Sequence, residues 1–241
     1  MRSFDKKKTK IQNSKAIIFL GPPGSGKGTQ AILFAERFNF YYLETSKILE
    51  EAFKQAEKKP FIVEGGKKYY FKEEKKLWEG GKLCHPPFVV RLILKKIEEL
   101  IKEKRNLVLA GSPRTIYEAE RIMPVLEKFF GKENIQIFFL KISPKETIFR
   151  NSHRRICQLL RHPIFYLKEN RKLEFCPLDG SRLIKRGKLD KPETIKVRLK
   201  EFKEKTLPLL EFFKKRNYKI EEVDASPPPA KVFEEILKKL K

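Results

Sequence analysis

The stretch of sequence that decides the fold is residues 21–29, which read Gly-Pro-Pro-Gly-Ser-Gly-Lys-Gly-Thr. It lies between a short apolar run at residues 16–20 and a segment, residues 30–38, whose apolar residues have helical spacing. When a glycine-rich turn joins a strand to a helix, its backbone N–H groups can point toward phosphate oxygens. Lys27 can then reach the outer phosphates. The sequence therefore predicts a phosphate-binding loop rather than a Gly/Pro-rich turn with an incidental lysine. The residues assigned to the phosphates are Gly24, Ser25, Gly26, Lys27, Gly28 and Thr29.

Further apolar runs recur along the chain and are separated by helical patterns. They occupy residues 107–110 and 135–140, with a weaker run at 218–223. Alternating strands and helices predict an α/β fold in which a parallel sheet is covered by helices on both faces. Ser143 followed by Pro and Glu predicts one helix start, and Asp190 followed by Lys, Pro and Glu predicts the start of a long helix toward Asn217.

Two segments interrupt this alternation. Residues 60–81 hold four glycines among lysines and aromatic residues, and residues 156–188 hold two cysteines, Pro and Gly without a sustained period. We expect both to be excursions from the core that move over a ligand site.

The charge balance favours polyanionic ligands. Fifty-five Lys and Arg against 31 Asp and Glu give a net charge of +24, which suits nucleotides, nucleic acid or an anionic membrane surface. Because the lysines are spread along the chain, a solvated surface explains most of the excess, and nucleic acid is a possible but not a favoured partner.

Cysteine usage and the N-terminus indicate the compartment. Three cysteines are an odd and sparse set, so a disulfide framework is not indicated and a reducing environment fits better. The apolar run behind the basic N-terminus spans only residues 16–20, too short for a signal sequence or a membrane span. We expect a cytoplasmic protein with no membrane partner.

The phosphate loop, read through its following Gln30, resembles that of adenylate kinases and related nucleoside monophosphate kinases. Further segments follow in the order of that family and span most of residues 16–217. They are Gly81-Lys82-Leu83, Gly111-Ser112-Pro113-Arg114-Thr115, Arg154-Arg155, Gly180, Arg186, Pro192-Glu193-Thr194-Ile195 and Arg198-Leu199.

The resemblance implies a reaction and a division of the chain. The reaction is phosphoryl transfer from ATP to a nucleoside monophosphate, usually AMP, giving two ADP with Mg²⁺ as cofactor. The division is a core (residues 1–44, 82–155 and 190–241), a monophosphate-binding arm (45–81) and a lid (156–189), in a chain that we expect to be a monomer. Such a reaction needs position and positive charge more than a covalent nucleophile.

The resemblance also assigns residues to roles. The cations expected to converge on the phosphates as catalytic residues are Lys27, Arg114, Arg150, Arg154, Arg186 and Arg198. The residues expected at the monophosphate are Thr45, Leu83, Arg114 and Glu118.

Four positions depart from an expected pattern. Gly28 departs from phosphate loops in general, which offer a Ser or Thr hydroxyl to magnesium at this position, and the other three depart from the family pattern. Ala110 replaces an acidic residue that helps to order the magnesium hydration shell, which predicts weaker support for the metal. Glu50 falls where the family has an arginine for the monophosphate, and Lys47 or Lys54 is expected to compensate.

The fourth departure concerns the base. Glu118 replaces a glutamine that reads adenine, and an ionised Glu can only accept hydrogen bonds. We hypothesise a weaker AMP preference with a gain toward guanine. A solvated Glu118, with another group reading the base, is the alternative.

The lid carries a candidate metal site. The segment from Cys176 to Asp179 resembles the second knuckle of zinc-bearing lids in this family, and Cys157 matches the first ligand of the first knuckle. The next expected ligand position is Leu160, which cannot bind zinc, so His162 is the candidate for the remaining ligand. A structural Zn²⁺ held by Cys157, His162, Cys176 and Asp179 competes with a metal-free lid.

Two other functions remain open from the residues alone. One is a kinase for GMP, CMP or UMP, and the other is a degenerate nucleotide-binding or RNA-associated protein without kinase activity. Ala110 and Glu50 favour degeneration, whereas the retained cations favour catalysis.

Overall fold

A five-stranded parallel sheet forms the centre of the computed structural model, which describes residues 15–56, 60–166, 169–185 and 187–240. Its strands are β1 (Ala16–Leu20), β2 (Tyr41–Glu44), β5 (Leu107–Ala110), β6 (Ile135–Lys141) and β10 (Ile220–Asp224). They lie in the order β10-β6-β1-β5-β2, and every pairing is parallel. The predicted α/β fold is confirmed.

Nine α-helices flank the sheet and its excursions within the described residues. They are α1 (Lys27–Phe38), α2 (Thr45–Lys54), α3 (Phe71–Glu79), α4 (Pro86–Lys102), α5 (Ile116–Phe130), α6 (Pro144–His153), α7 (Pro192–Glu201), α8 (Leu209–Lys215) and α9 (Pro229–Lys238). One apolar layer joins the sheet to α4, α5 and α8, and the other joins it to α1 and α9. Both faces of the sheet are therefore covered.

Strand β1 is apolar at every position because it is the middle strand. It pairs with β5 on one side and with β6 on the other, and all five of its residues are buried. Ile18 packs in the layer with α4 and α5, whereas Phe19 packs in the layer with α1 and stacks on Phe138 at 5.5 Å between ring centroids. A strand buried on both faces cannot alternate apolar and polar residues.

The two irregular segments carry small sheets of their own. In the arm, β3 (Phe61–Glu64) and β4 (Lys67–Tyr70) form a hairpin whose turn residues, Gly65 and Gly66, have positive φ of 57° and 77°, as a tight hairpin turn requires. In the lid, β7 (Arg155–Cys157) lies between β8 (Pro163–Ile164) and β9 (Leu183–Ile184) in an antiparallel sheet.

Both predicted helix starts are confirmed. Ser143 caps α6, since its Oγ accepts a hydrogen bond from the N–H of Glu146 at 3.1 Å. The second predicted start is also confirmed, since α7 begins at Pro192 with Lys191 as its N-cap, while the Asp190 carboxylate binds Arg154 at 2.6 Å. The predicted long helix is interrupted, however, by a π-helical turn at Phe202–Thr206 between α7 and α8.

No helix in the described part of the chain has both the length and the apolar character that crossing a bilayer requires.

The start of α5 fixes the segment that follows β5. Thr115 is the N-cap and accepts a hydrogen bond from the N–H of Glu118 at 3.2 Å, while Glu118 Oε2 accepts one from the N–H of Arg114 at 2.8 Å. These paired bonds hold the turn that carries Arg114. Burial raises the pKa of Glu118 to about 7, although the Arg114 N–H and guanidinium and the Thr115 hydroxyl act in the opposite direction.

We expect Glu118→Gln to change the pH dependence of stability. The folded-state pKa of about 7 lies above the ordinary glutamate value of 4.5, so the folded protein holds more protons between these values and the wild-type free energy of unfolding falls as pH rises through that window. The amide does not titrate. The variant should therefore gain stability relative to wild type between pH 5 and pH 7, by roughly 2–3 kcal/mol, measured by urea denaturation.

Glu120→Gln is the matched control, because the Glu120 side chain on the same helix is 47% exposed. A difference between Glu118→Gln and wild type that stays constant from pH 5 to pH 8 would contradict this account.

Candidate functional site

The loop at residues 21–28 is held by its own backbone and by a neighbouring helix. Lys27 Nζ donates hydrogen bonds to the carbonyls of Gly21 at 2.7 Å and Pro22 at 2.8 Å, so the side chain folds back over the loop. Gly24 has φ of 80°, and a Cβ there would lie 2.4 Å from Asn151 Nδ2. Only glycine allows the loop to pack this closely on α6.

Three arginines surround the loop lysine. Burial lowers the pKa of Lys27 well below its ordinary value, and the charges of Arg114, Arg198 and Arg154 lower it further. Burial likewise lowers the pKa of Arg114. Four partly buried cations gathered in one place form a site for a polyanion.

Arg154 is held by the side chains of Asp190 and Asn151, which no sequence motif marked as part of the site. Its Nη2 donates to Asp190 Oδ1 at 2.6 Å and to Asn151 Oδ1 at 2.9 Å, and its Nε donates to Asp190 Oδ2 at 3.3 Å. Asn151 is fully buried and also donates to the carbonyl of Thr147 at 2.7 Å. The same asparagine therefore contacts Gly24 of the loop and orients Arg154.

Arg198 comes from α7 on the other side of the lid. Its Nη1 donates to the carbonyl of Leu189 at 3.2 Å and lies 3.9 Å from Asp190 Oδ1. Asp190 thus lies near both arginines, which explains why an acidic residue is buried among cations.

The structure does not place Arg150 with this group. Its Nε donates to Glu146 Oε1 at 2.6 Å, and its Nη atoms donate to the carbonyls of Ala225 and Ser226 at 2.8 Å each. These acceptors hold its guanidinium beside the loop after β10, at the wall of the cavity that Lys27 also lines, and the expectation that Arg150 reaches the phosphates stays a prediction. Arg186 lies outside the described residues.

Two cavities meet at the cation group. The larger has a volume of about 410 Å³ and extends from residues 23–30 to Arg150 and the lid. The smaller, about 120 Å³, extends toward Trp78 and Leu83. The residues that line both cavities are Pro23, Lys27, Ser46, Gly111, Arg114 and Arg198.

The residues assigned to the monophosphate are placed differently from one another. Leu83 lines the smaller cavity, and its N–H donates to Glu201 at 3.0 Å. Thr45 is buried one residue before Ser46 and donates to Ser112 Oγ at 3.0 Å. Glu118 is outside both cavities, with its carboxylate engaged by Arg114 and Thr115. The structure thus lends no support to base reading by Glu118.

Glu50 is neutralised by the lid. Arg161 donates to its two carboxylate oxygens at 2.9 Å and 3.3 Å, which joins α2 to the lid. Lys47, which we expected to compensate, lies 3.6 Å from Glu44 instead. The sequence offers no signal for the Glu50–Arg161 pair, because the two residues are 111 positions apart.

The four candidate zinc ligands form a cluster in the lid. One ligand atom each from Cys157, His162, Cys176 and Asp179 lies within 4.8 Å of every other. Cys157 Sγ is 3.0 Å from Asp179 Oδ2, and His162 Nδ1 is 3.7 Å from Cys176 Sγ. Two thiols, an imidazole and a carboxylate are a donor set that suits tetrahedral zinc. Leu160 lies outside the set, and its N–H points to Asp179 at 3.4 Å.

Comparison with known proteins identifies the family. The family model for adenylate kinase matches residues 19–218. An adenylate kinase from Borrelia garinii subsp. bavariensis is 34% identical over 224 residues, which cover 92% of this chain and 96% of the relative. Adenylate kinases from Mycoplasma mobile and Methanothrix thermoacetophila are each 31% identical and cover 93% of this chain and 97% of the relative.

These similarities extend over nearly the whole chain, and the matched residues 19–218 contain the phosphate loop and the arginines around it. The chain belongs to the adenylate kinase family.

Proposed function

We propose that this chain catalyses reversible phosphoryl transfer from ATP to AMP, giving two ADP. The observation that carries the proposal is the meeting of two cavities at Lys27, Arg114 and Arg198. A reaction between two nucleotides needs two base-sized spaces and one shared place for their phosphates. We assign ATP to the larger cavity, since the loop at residues 23–29 lines it, and AMP to the smaller cavity beside Leu83.

The residues act by position and charge. The transferred phosphoryl group carries negative charge that spreads over its oxygens in the transition state. Lys27, Arg114, Arg154 and Arg198 are the catalytic residues in this proposal, because all four line the larger cavity, where their positive charge stabilises the negative charge that develops. Asn151 and Asp190 are positioning residues that act through Arg154.

The lid and the arm exclude water. Transfer to water competes with transfer to AMP whenever the site is open. The Glu50–Arg161 pair holds the lid to α2 over the larger cavity, so we assign it to the closed state. Arg150 stabilises the same region by fixing the loop at Ala225 and Ser226.

Two metal ions belong to the proposal. Mg²⁺ bound with ATP would supply positive charge against the phosphates, and Thr29 and Glu44, which line the larger cavity, are the residues that would hold it or its waters. Zn²⁺ has a structural role in the lid, where Cys157, His162, Cys176 and Asp179 would hold it. Because reduced thiols are required for this, we propose that the protein works in the cytoplasm. We propose that it works as a monomer because one chain lines both cavities.

Lys27→Met should abolish the reaction. Loss of one donor aimed at developing negative charge lowers the rate by about 10²–10³-fold, so we expect AMP-dependent ADP formation to fall by at least that factor in a coupled assay. Lys95→Met, at an exposed position on α4, is the control and should behave as wild type. A Lys27→Met protein with wild-type turnover, or a wild-type protein that prefers GMP, CMP or UMP to AMP, would contradict the proposal.

Metal analysis should find about one zinc per chain in protein purified without chelators. Cys176→Ser should lose the metal and lower the midpoint of thermal unfolding, because the ion joins the two halves of the lid. Cys84→Ser is the matched control, since Cys84 is buried in the main core away from the cluster, and it should keep its zinc. A wild-type lid free of zinc would show that the cluster has no metal role.

A further inference from the structure

Strands β2 and β5 end side by side, but only β2 ends in a carboxylate that could contact Mg²⁺ or its waters. Strands β2 and β5 are parallel neighbours, and their last residues, Glu44 and Ala110, are register partners. Ala110 has only a methyl group to offer. The acidic group at this level of the sheet is therefore one strand away, on β2.

Glu44 and Ala110 face the same side of the sheet. Val108 and Ala110 pack in the layer that contains α1, and Tyr42 packs against that layer. Side chains two residues apart on a strand share a face. The Glu44 side chain therefore projects toward α1 and the phosphate loop, as the Ala110 methyl group does.

The contact between Tyr42 and the start of α1 shows where Glu44 lies relative to the phosphate loop. A Cβ on Gly28 would lie 3.1 Å from the Tyr42 hydroxyl, so the first turn of α1 abuts this tyrosine. Glu44 is two residues further toward the carboxyl end of β2, and it lines the larger cavity together with Gly28 and Thr29.

Local contacts hold the Glu44 carboxylate at the cavity. Its Oε1 accepts a hydrogen bond from Ser46 Oγ at 2.6 Å, and its Oε2 lies 3.6 Å from Lys47 Nζ. The side chain is 26% exposed, which leaves it open to solvent on the cavity side. A carboxylate beside a triphosphate would be repelled unless a cation lay between them.

We propose that Glu44 orders the water shell of the Mg²⁺ ion that accompanies ATP, at the level of the sheet where Ala110 has no donor. Magnesium keeps several of its waters in nucleotide sites and takes one or two carboxylates as further partners. Glu44 is thus a positioning residue for the metal, and the inference rests on the proposed function.

Binding of ATP with and without magnesium tests the inference apart from turnover. In wild type, calorimetry should find tighter binding of ATP in the presence of Mg²⁺ than in EDTA. Glu44→Gln keeps an oxygen for Ser46 and removes the charge. It should reduce the magnesium-dependent gain by about tenfold, as the loss of outer-shell partners does, while ATP binding in EDTA stays equal or becomes tighter.

Two further variants make the test specific. Glu51→Gln, an exposed position on α2, carries the same charge change and should keep the wild-type gain. Ala110→Asp in the Glu44→Gln background returns a carboxylate to the same level of the sheet and should restore the gain.

The possible results distinguish the role of Glu44 from the proposed phosphoryl transfer. A wild-type magnesium gain that Glu44→Gln retains, or an equal loss of ATP affinity with and without the metal, would overturn the role of Glu44 and leave the proposed function in place. A wild-type protein whose ATP affinity is indifferent to magnesium would also overturn the role of Glu44, whereas a wild-type protein that forms no ADP from ATP and AMP would overturn both.

Discussion

Repulsion among four partly buried cations is the constraint on which the rest of the structure depends. Lys27, Arg114, Arg154 and Arg198 lie close enough for each arginine to lower the lysine pKa. Such a group is unfavourable by itself and becomes favourable when a polyphosphate lies among its members. The protein must therefore hold the four groups in place before the ligand arrives, and most of the polar contacts around the site do this.

Each cation is restrained by a different device. Lys27 is bonded to carbonyls of its own loop, and Arg154 is bonded to Asp190 and Asn151. Arg114 is fixed through its backbone, since Glu118 accepts the bond from its N–H. The fold brings these devices together because β1, β2 and β5 are parallel and end at the same edge of the sheet, where ligands of open α/β sheets bind.

The sequence predicted the parts of the molecule that depend on local pattern. The bounds of β1 and β5 follow from continuous apolar runs, and the phosphate loop follows from its glycines and Lys27. Strand β2 was missed, because it has only four residues and continues directly into α2. The capping role of Glu118 had a signal in the Thr-x-x-Glu spacing, but a family comparison led us to expect base reading there. The Glu50–Arg161 pair and the role of Asn151 depend on contacts between residues far apart in the sequence, so no local sequence pattern predicts them.

The titration of Lys27 tests most directly whether the neighbouring arginines and burial lower its pKa and whether a polyphosphate reverses the effect. Nitrogen-15 labelling of lysine, with assignment by the Lys27→Met spectrum, lets NMR follow the Nζ resonance with pH in the ligand-free protein and with inorganic tripolyphosphate. We expect a Lys27 pKa below the ordinary lysine value in the free protein and a rise when tripolyphosphate is bound. An ordinary pKa in the free protein that does not respond to tripolyphosphate would contradict this expectation.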